Sequence, residues 1–334
     1  MKRKNNLYEQ IYKFENILSA FDEVCRNTKN KRKVRNYKEY KCIYISRIYD
    51  TLANKSYVVG PYNVFTIYEP KERRIVSQSM HDKVINHLVS RYILYPSILP
   101  CLIDGNVASR KGMGTKKGLE LANTFHRVCK IKYDKYYILK CDISKFFASI
   151  DHDILKQKLQ KKIKDKDALD IVYSIIDSDE QGLSIGNMTS QVLAIFYLND
   201  FDHYVKETLK IKYYVRYQDD FLLFHPSKEY LKECLEKIKA FLNKEHMTLN
   251  PKTRIYSSNN SFIFLGRNKS GKYAKYRDVN RRLKKRKFLY ENGYISLNSL
   301  VSSYICYEHL CPNRIRQKKS SKEVKCALHV KQGV

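Results

Sequence analysis

Two adjacent aspartates stand between two apolar, β-favouring runs, in the stretch Tyr217-Gln218-Asp219-Asp220. This pattern predicts a hairpin with both carboxylates at its tip. Because neighbouring carboxylates repel each other, we expect a cation to hold them. Mg²⁺ prefers carboxylate oxygens and suits sites that also receive substrate phosphates. An ordinary polar turn is the alternative, and a further carboxylate with a phosphate pocket would decide between the two.

A third aspartate, Asp142, ends an apolar run that predicts a strand from residue 136. A simple strand-end cap is the alternative to a chemical role. Residues 136 to 256 predict strand, helix, helix, hairpin, helix and strand, which is typical of a split β-α-β palm. We expect Asp142 and Asp219 to lie side by side there. Two aspartates on neighbouring strands can bridge two Mg²⁺ ions about 4 Å apart, the geometry for in-line phosphoryl transfer.

Three upstream or intervening segments could approach a phosphate. Residues 62–76 predict two strands around a turn at 69–72, with Arg73 and Arg74 on opposite faces, so that one of them points at a ligand. In the loop 104–115, Arg110 and Lys111 supply charge beside two glycines, although no Walker A motif is present. The polar loop 182–191 opens a helix and could approach a base or phosphate, an ordinary helix cap being the alternative.

Predicted helices flank these candidate site segments and would hold them in position. Residues 1 to about 55 predict basic helices, with one buried stripe formed by Leu7, Ile11, Phe14, Leu18 and Phe21. Further helices are predicted over 80–95, over 116–129, from an N-cap at Asp151, and over 229–245 on the back of the hairpin's sheet.

The chain carries 64 Lys and Arg against 34 Asp and Glu, a formal net charge of +30. Such a charge indicates a polyanionic partner, most simply nucleic acid, although an AT-rich genome also raises the lysine content. Residues 267–287 hold eleven Lys or Arg against Asp278, with aromatic residues interleaved, which favours a nucleic-acid groove over a solvated helix face. The charge run Lys29 to Arg35 slightly favours a solvated loop over a phosphate contact.

Other classes of protein are disfavoured. No apolar run approaches the roughly 20 residues of a membrane span, and no apolar h-region follows the basic N-terminus, so we expect a cytoplasmic protein. Nine scattered cysteines fit reduced thiols. A zinc site is possible in ligand type but disfavoured against free thiols; its four residues would be Cys306, Cys311, Cys326 and His329.

From about residue 60 to 290, the segments resemble a reverse transcriptase in order and spacing. The motifs are Glu69-Pro-Lys-Glu-Arg-Arg-Ile75, Ala108-Ser-Arg-Lys-Gly-Met-Gly-Thr115, Lys140-Cys-Asp-Ile-Ser-Lys-Phe-Phe-Ala-Ser-Ile-Asp151, Tyr217-Gln-Asp-Asp220, Asn250-Pro-Lys-Thr253 and Phe264-Leu-Gly266. The resemblance implies an α+β right-hand polymerase fold with fingers, a ferredoxin-like split β-α-β palm and a short basic helical thumb. We expect an N-terminal basic helical extension over 1–60, fingers over 61–135, palm over 136–266 with a fingers insertion around 165–190, and thumb and tail over 267–334.

The resemblance also implies site residues. The catalytic carboxylates would be Asp142, Asp219 and Asp220, which with the Ile143 backbone would hold two Mg²⁺ ions, replaceable by Mn²⁺. Lys252 would be an acid near the pyrophosphate leaving group, and Phe147 would reject ribonucleotides by a clash at the sugar 2′ position. The other expected nucleotide-binding residues are Arg73, Arg110, Lys111, Ile185, Gly186 and Gln191. The expected primer or template contacts are Ser190, Tyr217, Leu265, Gly266, Arg281 and Arg282, with Phe264-Leu-Gly266 as the primer grip.

One loop departs from the usual pattern Gln-Gly-x-x-x-Ser-Pro and reads Ile185-Gly-Asn-Met-Thr-Ser-Gln191. That form is similar to reverse transcriptases of diversity-generating retroelements, which are bacterial or phage enzymes. The resemblance implies error-prone copying of a template-repeat RNA, with errors opposite adenine, cDNA that replaces part of a target gene, and an accessory protein. The alternatives are a phage-defence, retron or group II intron-like reverse transcriptase, and a catalytically idle RNA-binding protein. The intact aspartate set argues against the last.

Overall fold

The computed structural model describes residues 3–67, 73–260, 262–268 and 279–310. The chain divides into two compact units. The first comprises Met1–Asn63 and Val76–Leu265, and the second comprises Val64–Ile75 and Gly266–Val334. The division into extension, fingers, palm and thumb stays a prediction.

Four helices begin the first unit: α1 (Tyr8–Ile11), α2 (Phe14–Asn27), α3 (Lys31–Glu39) and α4 (Lys41–Ala53). The predicted apolar stripe is buried at Leu7, Ile11 and Phe21, but it is wrong at Phe14, which is 56% exposed. The reason is that Lys13 is extended, which ends α1 and resets the helical phase.

The charge run at residues 29–35 is helical from Lys31 onward, not a loop. The side chain of Asn30 caps α3 by accepting the backbone N–H of Lys33 at 3.0 Å. The loop interpretation was wrong because this short polar side chain satisfies a free donor of the first turn. The five lysine and arginine side chains of α3 are exposed.

The predicted helix over 80–95 is a continuous helical stretch. It comprises α5 (Met80–Leu88), a π-helical segment (Val89–Leu94) and α6 (Tyr95–Ile98). The predicted helix over 116–129 is α7 (Thr115–Lys132). The loop before α7 is bonded to the strand that contains Arg216: the Gly105 carbonyl accepts the backbone N–H of Arg216 at 2.8 Å, and the backbone N–H of Val107 donates to the Arg216 carbonyl at 3.1 Å.

An antiparallel four-stranded sheet lies at the centre of the first unit. Its strands are β3 (Tyr137–Asp142), β4 (Tyr213–Tyr217), β5 (Asp220–His225) and β6 (Arg254–Ser257), in the spatial order β4-β5-β3-β6. The helices between β3 and β4 are α8 (His152–Gln160), α9 (Lys166–Ile176), α10 (Met188–Tyr197) and α11 (Asn199–His203); α12 (Lys228–Lys244) lies between β5 and β6. The predicted order of strand, hairpin, helix and strand is confirmed, but four helices rather than two lie between β3 and the hairpin, and the palm assignment stays a prediction.

The sheet is covered on both faces, which explains the continuous apolar run of β5. Residues 221–224 are at most 1% exposed and alternate between two apolar clusters. On one face Phe221 and Leu223 share a cluster with the buried stripe of α12, as predicted. On the other face Leu222 and Phe224 share a cluster with Val107 and residues of α7. Burial of each such side chain stabilises the fold by about 1.5–3 kcal/mol, so the sheet is a rigid platform.

Strands β1 (Asn63–Ile67) and β2 (Arg73–Ser77), most of whose residues belong to the second unit, form a two-stranded sheet, although the predicted turn at 69–72 lies outside the described residues. Helix α13 (Val279–Glu291) packs against α14 (Leu297–Leu310), where Arg286 donates to the hydroxyls of Ser299 at 2.8 Å and Ser303 at 3.0 Å. Two short strands are β7 (Ile263–Phe264) in the first unit and β8 (Arg267–Asn268) in the second. Residues 269–278 of the basic segment lie outside the described part.

None of the helices in the described ranges combines the length and the apolar character that a membrane span needs. No disulfide joins the seven cysteines of those ranges. Of the four residues considered for zinc, only Cys306 is described, so that question stays open.

Candidate active site

Asp142 ends β3 and Asp220 begins β5, and the antiparallel register places these two residues directly opposite each other. The sequence analysis placed Asp142 beside Asp219, whereas the register gives that position to Asp220. Asp219 is still close by, since its carbonyl accepts the backbone N–H of Ile143 at 3.2 Å. The three expected carboxylates therefore occupy neighbouring positions at one end of the sheet.

The hairpin that carries Asp219 and Asp220 has a two-residue turn. Tyr217 and Asp220 pair across its base, so Gln218 and Asp219 form the loop. Gln218 has a φ of 55°, in the left-handed region. A positive φ at the first of two loop residues is typical of a type II′ turn, where glycine is the usual residue. A non-glycine residue in this conformation costs about 1–3 kcal/mol and persists only where neighbouring contacts impose it.

The chain that follows β3 is held by residues 248–250. Asn250 donates its backbone N–H to the Asp142 carbonyl at 2.7 Å, and Ser144 donates to the Thr248 carbonyl at 2.9 Å. Asn250 also opens the turn that contains Lys252, whose N–H reaches the Asn250 side chain at 3.0 Å. Lys252, the expected acid, is thus exposed on a turn bonded to the residue that carries the first carboxylate.

Lys140 is a site residue that the sequence analysis missed. Its ammonium pairs with the carboxylate of Asp220 and lies 5.9 Å from the ring centroid of Phe264. The backbone of Leu265 also hydrogen-bonds to Asp220, which places the expected primer-grip residue against this carboxylate. Burial raises the pKa of the Asp220 carboxyl, and Lys140 acts in the opposite direction. The alternation of side chains along a strand could have identified Lys140, because Lys140 and Asp142 are two residues apart and therefore lie on the same face of β3.

The donor atoms at this end of the sheet suit a hard divalent cation. Asp142 and Asp219 would supply carboxylate oxygens and Ile143 a backbone carbonyl, the ligand types that Mg²⁺ prefers. In the part of the chain that the structure describes, no three acidic, histidine or cysteine side chains converge as a ready metal site. Asp220 is instead paired with Lys140. The metal assignment of the three aspartates stays a prediction that the donor chemistry fits.

The turn formed by Gln218 and Asp219, the loop 104–115 and the first turn of α10 meet through Ser109, which also has a left-handed φ of 50°. The amide of Gln218 donates to the Ser109 hydroxyl at 3.0 Å, and this hydroxyl donates to the Gln191 side chain at 3.4 Å. Gln191, one of the expected nucleotide-binding residues, is therefore tied to the turn. The sequence analysis did not single out Ser109 or Gln218.

Arg110 and Lys111 follow Ser109 and differ in their surroundings. Nη1 of Arg110 donates to the carbonyls of Ile103 at 2.9 Å and Asn106 at 2.8 Å, which braces the loop. Lys111 is exposed. The Arg110 side chain thus has a structural task in addition to the expected phosphate contact.

Phe147, the expected ribonucleotide gate, lies in a 3₁₀ turn (Phe146–Ser149) five residues after Asp142 and is half-buried. Its carbonyl accepts the backbone N–H of Leu183 at 2.8 Å. Gly182 has a φ of +68°, and a Cβ there would lie 2.4 Å from the Phe147 carbonyl oxygen, so glycine is required for this approach. The contact holds the loop with Ile185 and Gly186 beside the 3₁₀ turn, and both of these residues are exposed.

The expected primer and template residues are spread over both units. Ser190 is buried at 2% exposure, so its side chain is not presented at the surface, and Tyr217 is half-buried beside the turn. In the second unit, Gly266 has a φ of 76°, and Arg281 and Arg282 are exposed on α13. Arg73 begins β2, and nothing is described of its side chain.

Comparison with known proteins found the following similarities. A curated relative, a putative COX1/OXI3 intron 1 protein of Saccharomyces cerevisiae, is 22% identical over 214 residues, which are 60% of this chain and 24% of that protein. The chain thus spans about a quarter of the length of this relative. Among solved structures, an apo telomerase of Candida tropicalis gives a TM-score of 0.48 at 16% identity, covering 63% of this chain and 54% of that one. A telomerase of Candida albicans in complex with a fragment of telomeric RNA gives a TM-score of 0.48 at 14% identity, covering 85% and 58%.

The family match covers more of the chain than any single motif. The model of the reverse transcriptase (RNA-dependent DNA polymerase) family matches residues 61–268, more than half of the chain. This range includes β3, β4 and β5 with all three aspartates. The chain therefore belongs to the reverse transcriptase family.

Proposed function

We propose that this reverse transcriptase is an error-prone RNA-directed DNA polymerase that copies a template-repeat RNA into cDNA for targeted gene diversification. The observation that carries the error-prone assignment is Ile185, which is 39% exposed on the loop held beside Phe147. Template RNA, deoxynucleoside triphosphates and the RNA–cDNA duplex are the partners of the reaction. A retroelement accessory protein is a further proposed partner.

The polymerase chemistry rests on the carboxylates at the end of the sheet. Asp142, Asp219 and the Ile143 carbonyl would hold Mg²⁺, with Asp220 beside them. Bound there, the metal ions would activate the primer hydroxyl and stabilise the charge that develops during in-line transfer. The backbone bonds from Asn250 to Asp142 and from Ile143 to Asp219 keep these ligands in place at 2.7 and 3.2 Å. Lys252, on the turn that follows Asn250, would give a proton to the pyrophosphate leaving group.

In this proposal the incoming nucleotide binds between the segments that surround the turn of Gln218 and Asp219. Phe147 would exclude a 2′-hydroxyl by steric clash, and the neighbouring loop places Gly186 where its backbone can approach the substrate. Arg110 and Lys111 supply positive charge for the triphosphate. These roles follow from matching positions in the family motifs, and the contacts described above keep the loops in place.

Low fidelity has a physical explanation in the side chain at position 185. A long polar glutamine, which most reverse transcriptases carry there, can hydrogen-bond to the nascent base pair and its template. Isoleucine cannot hydrogen-bond, so a mismatched pair loses less binding free energy relative to a matched pair. Because Ile185 is exposed, a larger polar side chain can be accommodated without disturbing the core.

Primer extension on a defined RNA template, with sequencing of the products, tests this proposal. We expect Ile185→Gln to lower misincorporation opposite adenine while total synthesis is retained. Ile185→Leu is the matched control, since it preserves the apolar character and should leave the error spectrum unchanged. An unchanged spectrum in Ile185→Gln would contradict the assignment of fidelity to this residue.

Two other functions remain as outcomes of the same assay. Accurate copying by the natural protein would favour a phage-defence or retron-like reverse transcriptase over a diversity-generating one. RNA binding without any Mg²⁺-dependent synthesis would indicate a catalytically idle RNA-binding protein, which the presence of Asp142, Asp219 and Asp220 argues against.

A further inference from the structure

A fully buried ion pair lies directly beneath the catalytic turn. Arg216 in β4 and Asp202 in α11 are both 0% exposed. Nε of Arg216 donates to Oδ1 of Asp202 at 2.7 Å, and Nη2 donates to Oδ2 at 2.5 Å. Such a bidentate ion pair is stronger than a single hydrogen bond and fixes the orientation of both groups.

Asp202 has further donors that fix its orientation. The hydroxyl of Tyr214 donates to Oδ1 at 2.7 Å, and the amide of Asn106 donates to Oδ2 at 3.2 Å. A buried pair is tolerated when the remaining lone pairs are satisfied in this way. The carboxylate is therefore a rigid anchor for the Arg216 guanidinium.

The other donors of Arg216 bind backbone carbonyls. Nη2 reaches the Ile195 carbonyl in α10 at 3.0 Å, and Nη1 reaches the Gln218 carbonyl at 2.9 Å. The Gln218 carbonyl belongs to the peptide that leads into Asp219. Because a peptide unit is planar, fixing this carbonyl fixes the plane from which the Cα of Asp219 projects.

The hydrogen bond from Arg216 is made to Gln218, the residue of the turn whose backbone is strained. Gln218 has a φ of 55°, which a non-glycine side chain disfavours, and the geometry must be imposed by its surroundings. Two contacts can impose it: the bond from Arg216 to the Gln218 carbonyl, and the bond from the Gln218 amide to Ser109 at 3.0 Å.

Resting on the polymerase chemistry proposed above, we infer that Arg216 is a positioning residue for nucleotidyl transfer, which holds the strained turn so that Asp219 stays beside Ile143. Arg216 acts through the Gln218 carbonyl, and Asp202 keeps the guanidinium in place. A role confined to stability of the core is the competing explanation. It predicts the same loss of stability but no coupling to the conformation of Gln218.

A double-mutant cycle between Arg216→Lys and Gln218→Gly separates the two explanations. Lysine keeps the charge opposite Asp202 but cannot reach three groups in one plane. Glycine adopts a positive φ without strain, so the turn forms without help from Arg216. The loss of the Gln218 side-chain bond to Ser109 is common to both Gly-containing proteins and cancels in the cycle.

With the natural Gln218 present, we expect Arg216→Lys to lower kcat by about 5- to 150-fold. This factor corresponds to the strain of the turn, which lysine no longer offsets. In the Gln218→Gly background the same change should lower kcat by less than about 5-fold. KM for the deoxynucleotide should change little in both. Mn²⁺ affinity, measured by electron paramagnetic resonance, should fall in Arg216→Lys and recover in the double variant.

Lys158→Met is the matched control, since Lys158 is a buried cation paired with Glu245 at 2.8 Å and bonded to the Tyr197 carbonyl at 2.9 Å. It should lose stability but keep kcat. Equal factors for Arg216→Lys in both backgrounds would overturn the inference, as would unchanged Mn²⁺ affinity. If Arg216→Lys does not fold, Asp202→Asn takes its place in the cycle with the same expected pattern. The Mn²⁺ measurement does not depend on synthesis, so failure of the proposed function and failure of this inference are distinguishable.

Discussion

The ammonium of Lys140 pairs with the carboxylate of Asp220, one strand away from it and beside the aromatic ring of Phe264. This pair supplies one positive charge at a place where the family's chemistry needs a divalent cation. Asp220 lies opposite Asp142 in the strand register, so the pair stands next to another expected metal ligand. We therefore expect Lys140 to compete with a bound metal ion for the Asp220 carboxylate.

The first prediction concerns this competition. Lys140→Met should lower the thermal midpoint without Mg²⁺ by about 2–4 °C, the equivalent of about 1 kcal/mol for a partly exposed pair in a unit of this size. Added Mg²⁺ should then raise the midpoint more in Lys140→Met than in the natural protein, because the freed carboxylate can ligate it. Lys140→Arg keeps the charge and serves as the control. Equal Mg²⁺ stabilisation in all three proteins would refute the competition.

The second prediction concerns the metal ligands. Asp219→Asn should lower Mg²⁺-dependent deoxynucleotide incorporation by at least about 100-fold, since metal-held charge stabilisation contributes several kcal/mol to transfer. RNA affinity should be unchanged, because phosphate contacts come from basic residues elsewhere. Incorporation on an RNA template and filter binding measure the two quantities. Retained synthesis would remove Asp219 from the metal site.

The third prediction concerns choice of sugar. Phe147→Ala should raise ribonucleotide incorporation relative to deoxynucleotide incorporation by about 10- to 200-fold, as expected when a steric contact is removed. The control is Phe146→Leu. Phe146 is buried at 3% exposure, and its ring makes an edge-to-face contact with the ring of Phe147, with the two ring centroids 5.5 Å apart. That change should lower stability and leave sugar discrimination as it was. Competition assays with both nucleotide types give the ratio directly.

The fourth prediction concerns salt. A net charge of +30 predicts that log affinity for RNA falls steeply with log salt concentration, because bound counterions are released. Arg281→Ala and Arg282→Ala, on the exposed side of α13, should each reduce that slope by about 1. Lys232→Ala, exposed on α12 behind the sheet, should not change it. A flat response in the natural protein would argue against a basic groove.

The fifth prediction concerns a helix cap near the site. Asp151 accepts the N–H groups of Asp153 at 2.9 Å and Ile154 at 3.0 Å, and the bond from Ile154 is the main cause of its lowered pKa. A lowered folded-state pKa contributes stability above the unfolded pKa, and that stability is lost as pH falls through the folded value. Asp151→Ala should cost about 1 kcal/mol at neutral pH in chemical denaturation, whereas Asp151→Asn, another good cap, should cost less and remove the acid dependence. Equal losses would show that capping is not the source.

Local patterns in the chain predicted most of the elements around the site. Strand alternation and turn residues identified the hairpin of β4 and β5, and the N-cap at Asp151 located the start of α8. These features depend on neighbours within a few residues, so periodicity and capping chemistry are sufficient to find them. Where the chain changed direction between α1 and α2, the same periodicity placed Phe14 wrongly inside the core.

The supporting residues of the site were not predictable in this way. Arg216 looked like one more basic residue in a chain of 64 Lys and Arg, yet it is fully buried against Asp202 in α11. Ser109 hydrogen-bonds both to Gln191, 82 residues away in the sequence, and to Gln218 of the turn, 109 residues away. Such contacts depend on which helices pack on which strands, and no single-chain pattern carries that information.

The sequence by itself predicted the chemistry, because three aspartates at the ends of apolar runs favour a site for metal-dependent phosphoryl transfer. It also determined the family through the order and spacing of its motifs. Only the tertiary structure decided that Asp142 faces Asp220, that Lys140 neutralises Asp220 and that Arg216 holds the Gln218 carbonyl. The reason is physical: strand register and burial are set by packing across the whole first unit, whereas residue type and spacing are local.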